Sequence, residues 1–160
     1  MEKSRYDQAK YIVETSENQP LDMRLQLTLL DALRSWVMRK FNREEAAMAM
    51  IGAFAGYLNV RLDQIGFELE QPEWYRRHPE DLSDRGPEQR IWQWVHHVLN
   101  EIQDGKFNLK EAELSIREVA MFEIDAVIKK VKHEQELDRD RPVPGTGGDG
   151  PRNGGPSGPA

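Results

Sequence analysis

Residues 42–62 read NREEAAMAMIGAFAGYLNVRL, and residues 46–58 within them carry no charged side chain. As a helix, this stretch is uncharged on every face, which is typical of a helix that is buried on all sides or crosses a membrane. Its thirteen uncharged residues are too few to cross a bilayer, since a transmembrane helix needs about 20. The stretch therefore predicts the central helix of a water-soluble, all-α bundle, in which neighbouring helices of the same chain surround it.

A row of small side chains runs along this helix, at three- and four-residue spacing: Ala49, Gly52, Ala53 and Gly56. Each glycine inside a helix costs about 1 kcal/mol relative to alanine, so close packing should offset that cost. We expect either another helix or an aromatic ring against the glycines, with Trp36, Trp92 and Trp94 as the candidate rings. A ligand slot beside the glycines is the alternative.

Two capping-box patterns mark helix starts. Asn42 precedes Glu45 by three residues, and Asn108 precedes Glu111 by the same spacing, so that each pair can satisfy free backbone N–H groups of a first turn. Apolar periodicity and turn residues supply the other boundaries. The predicted helices cover residues 4–15, 21–40, 42–62, 87–104 and 109–137.

The apolar faces of the first and fourth helices follow a simple helical period. The face of the first helix comprises Tyr6, Ala9, Ile12 and Val13. That of the fourth comprises Ile91, Trp94, Val95, Val98, Leu99 and Ile102. Each set recurs at three- and four-residue intervals, which predicts an amphipathic helix with one buried side.

The second helix is less regular, because every second residue from Leu21 to Leu29 is apolar, as in a strand. We favour a helix, since these residues are leucine and methionine rather than β-branched. The spacing then becomes helical, through Leu29, Leu30, Leu33, Trp36, Val37 and Phe41. The basic residues Arg34, Arg39 and Lys40 suit a helix C-terminus, and we interpret them as partners of the helix dipole with solvated side chains rather than as an anion site.

The last helix carries two apolar stripes. One comprises Ala112, Ile116, Val119, Ala120, Ile124, Val127 and Val131. The second comprises Leu114, Met121 and Ile128, with Phe122 beside it. A helix with two apolar stripes contacts two bodies, so the second stripe predicts either another part of the bundle or a homodimer through residues 109–137.

An irregular loop is expected at 63–86, because Pro72 and Pro79 interrupt regular structure there. Long loops in compact domains are often functional. This loop carries residue types enriched at protein interfaces, namely Trp74, Tyr75, Arg76, Arg77 and His78. The sequence predicts partner binding through residues 72–82, with packing of Trp74 and Tyr75 onto the bundle as the alternative.

The two ends of the chain differ in composition. Residues 1–137 form the predicted bundle domain, while 138–160 are rich in proline and glycine and predict a disordered tail. A net charge of −6 disfavours nucleic acid and anionic membranes as partners. The sequence has no cysteine, which excludes disulfides. Its first residues lack a signal-peptide pattern, so we expect a cytoplasmic protein.

Catalytic patterns are sparse. His97 and Glu101 lie one helical turn apart, a spacing that can hold a cation, but neither Glu-x-x-His nor His-Glu-x-x-His occurs. A magnesium-dependent, all-α nucleotide pyrophosphohydrolase would need paired carboxylates, for which the candidates are Glu70, Glu73, Glu101 and Asp104. Pro72 disfavours one helix through the first pair. The leading hypothesis is a non-catalytic interaction protein without a cofactor, such as an adaptor, inhibitor or regulatory subunit.

Overall fold

The computed structural model describes residues 4–66 and 87–140, and all regular structure in these two ranges is α-helical. The helices are α1 (Arg5–Thr15), α2 (Leu21–Val37), α3 (Arg43–Gln64), α4 (Pro87–Gln103) and α5 (Leu109–Asp140). The predicted all-α bundle is therefore confirmed. The helix boundaries differ slightly from the predicted ones: α2 ends three residues before Lys40, while α5 extends three residues beyond Leu137.

The α3 helix is the centre of the bundle, as its uncharged sequence predicts. Every residue from Ala46 to Leu58 is buried, and α1, α2 and α4 all pack against this helix. Its first turn is closed by the predicted capping box. Asn42 Oδ1 accepts a hydrogen bond from the Glu45 amide at 2.8 Å, and Glu45 Oε1 accepts one from the Asn42 amide at 2.9 Å.

The two glycines of α3 are explained by the close approach of α1. A Cβ atom at Gly52 would overlap the Tyr6 carbonyl oxygen, and one at Gly56 would lie 2.7 Å from the Lys10 carbonyl oxygen. The backbone of a neighbouring helix therefore makes the expected close packing. This is one of the two options that the sequence left open, a helix or an aromatic ring. The alternative, a tryptophan ring against the glycines, is excluded because the α1 backbone occupies this place.

The alternating segment of α2 is helical, and the helix geometry explains the alternation. Residues two positions apart in an α-helix point about 200° apart, so alternate apolar residues lie on opposite sides. The inner side comprises Leu25, Leu29, Ala32 and Leu33, all of which are buried. Met23 and Leu27, between them in sequence, are exposed.

The α4 and α5 helices are joined by polar contacts. The indole Nε1 of Trp94 donates to Ser115 Oγ at 3.1 Å, and Arg90 makes a two-pronged contact with Glu123 at 2.7 and 2.8 Å. Within α5, the Glu113 carboxylate is buried and accepts from Arg117 Nε at 2.5 Å. This hydrogen bond raises the pKa of Arg117.

The chain divides into two units, Met1–Ile128 and Lys129–Ala160. The first unit contains α1 to α4 and the part of α5 that ends at Ile128. The described part of the second unit is the remainder of α5. One apolar assignment in the first unit is wrong: Ile12, which was expected on the buried face of α1, is exposed, because that face is centred on Tyr6, Ala9 and Val13.

Candidate interaction surface

The side of α2 opposite its buried face is also apolar. We call this surface the α2 outer face and define it as Met23, Leu27, Leu30, Arg34, Val37 and Met38. Leu27 is 43% exposed, whereas Leu29, two residues away, is 0% exposed. Met23, Val37 and Met38 are exposed as well, and Leu30 is half-buried. The same helix thus presents apolar side chains both to the core and to solvent.

The spacing along the α2 outer face has the pattern of a helix-pairing seam. Met23, Leu27, Leu30, Arg34 and Val37 follow one another at intervals of four, three, four and three residues. Such alternation keeps side chains on one narrow stripe that can pack against a second helix. The α2 outer face spans about 22 Å, since Met23 and Met38 lie fifteen positions apart and each residue adds about 1.5 Å.

The α2 outer face leads into the turn between α2 and α3. The Arg39 amide donates to the Trp36 carbonyl oxygen at 3.0 Å, and the Lys40 amide donates to the Ser35 carbonyl oxygen at 2.7 Å. These bonds close the end of α2 with Arg39 at a φ of 63°. Glycine is the usual residue in this left-handed position, because it has no Cβ to clash with the backbone.

A cleft of about 650 Å³ opens beside this turn, and we call it the junction cleft. Its apolar lining comes from Trp36, Val37 and Phe41 of the turn, and from Ile102 near the end of α4. Arg39 and Lys40 also line it. Because Val37 belongs to both surfaces, the α2 outer face and the junction cleft are continuous.

The positive charges on these surfaces have no partner among the residues that the structure describes. Elsewhere in the described ranges, arginine side chains are hydrogen-bonded or ion-paired, as in Arg5–Glu45, Arg61–Asp125 and Arg90–Glu123. No such contact occurs at Arg34, Arg39 or Lys40 within residues 4–66 and 89–137. Within these ranges, the three cations therefore have no carboxylate partner, although the chain as a whole is acidic.

Glu45 is the carboxylate that lines the junction cleft, and its charge is already neutralised locally. Its Oε2 atom lies 3.2 Å from Arg5 Nε, and its Oε1 atom accepts the Asn42 amide. The bond to Asn42, followed by the one to Arg5, lowers the pKa of Glu45. The Arg5 guanidinium in turn lies over the Phe41 ring, 4.4 Å from its centroid. The Glu45 carboxylate on this side of the cleft is thus held by contacts within the fold.

A polar contact links α3 to α4. Arg43 donates from Nε to His96 Nδ1 at 3.2 Å, and from its terminal nitrogen to the His96 carbonyl oxygen at 2.8 Å and to Asn100 Oδ1 at 2.7 Å. Burial, and then the nearby Arg43 charge, lower the pKa of His96. This histidine is therefore a neutral acceptor that fixes Arg43, and the group has a structural role.

The other sequence-predicted residues are placed as follows. Trp74, Tyr75, Arg76, Arg77 and His78, with the rest of the predicted binding loop 72–82, lie outside the described residues. On α5, Phe122 is 66% exposed and Leu114 is also exposed, whereas Ile128 is 3% exposed. The predicted stripe of Leu114, Met121, Phe122 and Ile128 is therefore not one exposed surface, because Ile128 belongs to the core.

Glu101 belongs to both the candidate cation pair and the candidate hydrolase group. His97 Nε2 lies 3.6 Å from Glu101 Oε1, and Lys106 Nζ lies 3.6 Å from Glu101 Oε2. Within the described ranges, no group of three or more histidine, aspartate or glutamate side chains could hold a metal ion. Asp104 follows the last residue of α4, and Glu70 and Glu73 lie outside the described residues.

Sequence reasoning missed the α2 outer face, although a signal for it was present. The alternation of Leu21, Met23, Leu25, Leu27 and Leu29 was weighed as evidence for a strand against a helix. Once the segment is taken as helical, the same alternation indicates two opposite apolar faces. The cations at the end of α2 were interpreted as partners of the helix dipole, and nothing in the sequence separated them from the ion-paired arginines.

The fold and this surface define the protein as an all-α helical bundle with an exposed apolar stripe on α2. No protein-family model, curated protein or solved structure matches the chain. Within the described residues, none of the helices combines the length and the apolar character that spanning a membrane requires.

Proposed function

We propose that the protein is a non-catalytic interaction module, acting as an adaptor, inhibitor or regulatory subunit in the cytoplasm. The observation that carries the proposal is the α2 outer face: a stripe of exposed apolar side chains on the side of the helix opposite its buried face. Exposed methionine, leucine and valine weaken solubility and add nothing to the core, whereas contiguous apolar patches typically mark protein interaction sites. Arginine and aromatic residues beside such a patch are typical of binding hot spots.

The composition of the surface supports protein rather than small-molecule binding. The junction cleft is open to solvent and continues into a stripe about 22 Å long, a shape that suits a helix better than a compact ligand. Methionine, tryptophan, phenylalanine and arginine are enriched at protein interfaces, and Met38, Trp36, Phe41 and Arg39 gather at this end of α2. The loop 72–82 and a homodimer through α5 stay predictions of further contact surfaces.

Site-specific photo-cross-linking tests the proposal. A photoreactive phenylalanine analogue replaces Leu27 on the α2 outer face, and a matched protein carries it at Tyr11, an exposed residue on α1. In cells that contain the natural partners, we expect a discrete covalent adduct at position 27 and not at position 11. The adduct should disappear when Val37→Asp is added. Equal labelling at both positions, or none at position 27, would contradict the proposal.

A second measurement addresses the absence of catalysis. The purified protein is incubated with magnesium and nucleoside triphosphates, and release of phosphate or pyrophosphate is followed. We expect release at the rate of the buffer control. Release that disappears in a Glu101→Gln, Asp104→Asn variant would replace the interaction module with the pyrophosphohydrolase alternative.

A further inference from the structure

We infer that the α2 outer face and the junction cleft together bind an acidic amphipathic helix from another protein. This inference rests on the proposed function and names the chemistry of the partner. The apolar stripe supplies the seam, and Arg34, Arg39 and Lys40 supply the charge that selects the partner. The first cation lies within the stripe, and the other two line the cleft in which the stripe ends.

Arg34 and Arg39 differ from the other arginines of the described ranges in their lack of an internal hydrogen-bond or ion-pair partner. The chain has a net charge of −6. In the described ranges its other arginines have internal partners, such as Glu45, Glu113 and Glu123. Arg34 and Arg39 have none there. A carboxylate gives arginine a strong charge-assisted hydrogen bond, so an acidic partner satisfies both residues while its apolar side covers the stripe.

The backbone at Arg39 gives an independent reason to assign it a role in binding. A non-glycine residue in the left-handed region is unfavourable by about 1–2 kcal/mol, and such strain is often found at functional sites. Glycine would suit the turn better, and the Arg39 side chain makes no hydrogen bond or ion pair with the described residues that could offset the strain. A carboxylate of a partner would supply such a contact.

A helix rather than an extended strand is the expected partner structure. The four-three spacing of Met23, Leu27, Leu30, Arg34 and Val37 accommodates side chains of a second helix between those of α2. A stripe of about 22 Å matches a partner helix of about 15 residues. Carboxylates near one end of that helix would meet Arg39 and Lys40, which fixes its direction along α2.

Fluorescence anisotropy with labelled synthetic peptides tests the inference. Each peptide has about 18 residues and leucines at the same four-three spacing. One carries glutamate at its remaining surface positions, a second carries lysine there, and a third has the glutamate composition with the leucines out of register. We expect the glutamate peptide to bind at least about tenfold more tightly than either of the others, and to weaken as salt is added. The net negative charge of the chain repels the glutamate peptide at long range. A preference for that peptide must therefore come from the nearby cations Arg34, Arg39 and Lys40.

Two protein variants separate binding from folding. The Arg34→Glu, Arg39→Glu, Lys40→Glu protein should reverse the preference, so that the lysine peptide binds more tightly than the glutamate peptide. Arg39→Gly should weaken binding of the glutamate peptide by about threefold or more, while its Tm stays the same or rises, because glycine relieves the strained turn. A structural role alone would not couple a higher Tm to weaker binding.

The inference is overturned if the glutamate peptide fails to bind, if the lysine or out-of-register peptide binds as tightly, or if the triple variant keeps the original preference. It is also overturned if sedimentation shows a wild-type dimer that Leu27→Glu converts to monomer, since a second copy would then occupy the stripe. If position 27 still forms its adduct in the photo-cross-linking experiment, the proposed function survives. If that adduct is missing as well, both proposals fail.

Discussion

The α3 and α2 helices make different uses of their apolar residues. In α3, uncharged side chains surround the helix, and residues 46–58 are buried on every side. In α2, apolar side chains lie on two opposite faces, and the fold buries only the face that contains Leu25, Leu29 and Leu33. Burial in the core therefore accounts for every apolar residue in the middle of α3, but it leaves Met23, Leu27 and Val37 of α2 exposed.

This difference shows why hydrophobic content alone does not predict burial. A helix becomes central when its neighbours can approach it from several directions, and α3 permits this at Gly52 and Gly56, where α1 takes the space of the missing side chains. The α2 helix has a neighbour on one side within the described residues. Its second apolar face includes the exposed residues Met23, Leu27 and Val37, which supports the proposal that a partner covers it.

The largest effect is expected from filling the contact between α1 and α3. Gly52→Leu should lower the free energy of unfolding by about 3 kcal/mol or more, since even a Cβ atom there overlaps the α1 backbone and overpacking usually costs about 1–3 kcal/mol. Asp63→Leu, on an exposed position of the same helix, is the control and should change stability by less than about 0.5 kcal/mol. Urea denaturation measures both. An unchanged midpoint for Gly52→Leu would refute the close contact.

A matched pair on α2 tests the two faces directly. Leu29→Ala should cost about 2–5 kcal/mol, the range for leucine truncation in a core. Leu27→Ala should cost less than about 1 kcal/mol, because its side chain is already 43% exposed. Both changes keep high helix propensity, so the difference reports burial. Equal costs in chemical denaturation would abolish the distinction between the inner and outer faces.

A smaller contrast compares a paired arginine with an unpaired one. Arg117→Met should lower the free energy of unfolding by about 1–3 kcal/mol, because it leaves the 1% exposed Glu113 without its charged partner. Arg34→Met should change it by less than about 0.5 kcal/mol, since no described residue depends on that charge. Thermal unfolding of the two variants is the measurement. A large loss in Arg34→Met would mean that its charge serves the fold rather than a partner.

The smallest effect concerns His96. Burial and Arg43 lower the pKa of His96 in the folded state, whereas in the unfolded chain it returns to about 6.5. Below that pH the unfolded state binds the proton first, so the free energy of unfolding should decrease as the pH falls from about 6.5 through the lowered folded pKa. His96→Gln should flatten this part of the profile, and His133→Gln, on an exposed site, should not. A profile that keeps its slope in His96→Gln would contradict this assignment.

The sequence predicted the fold because its main signals are local. The uncharged run of α3 and the capping boxes at Asn42 and Asn108 depend on spacing within one helix, and all three appear in the structure. The prediction failed where a second element decides the outcome. The exposure of Ile12, for example, depends on how α1 rotates over α3.

The most direct test of the two-faced α2 uses the absence of cysteine from the sequence, which makes any introduced thiol unique. Leu27→Cys and Leu29→Cys are each exposed to a thiol reagent under native conditions. The thiol at position 27 should react at nearly the rate of the unfolded protein. The thiol at position 29 should react at least about 100-fold more slowly, if the opening that exposes it costs about 3 kcal/mol. Similar rates at the two positions, or protection at 27 and not at 29, would contradict the account.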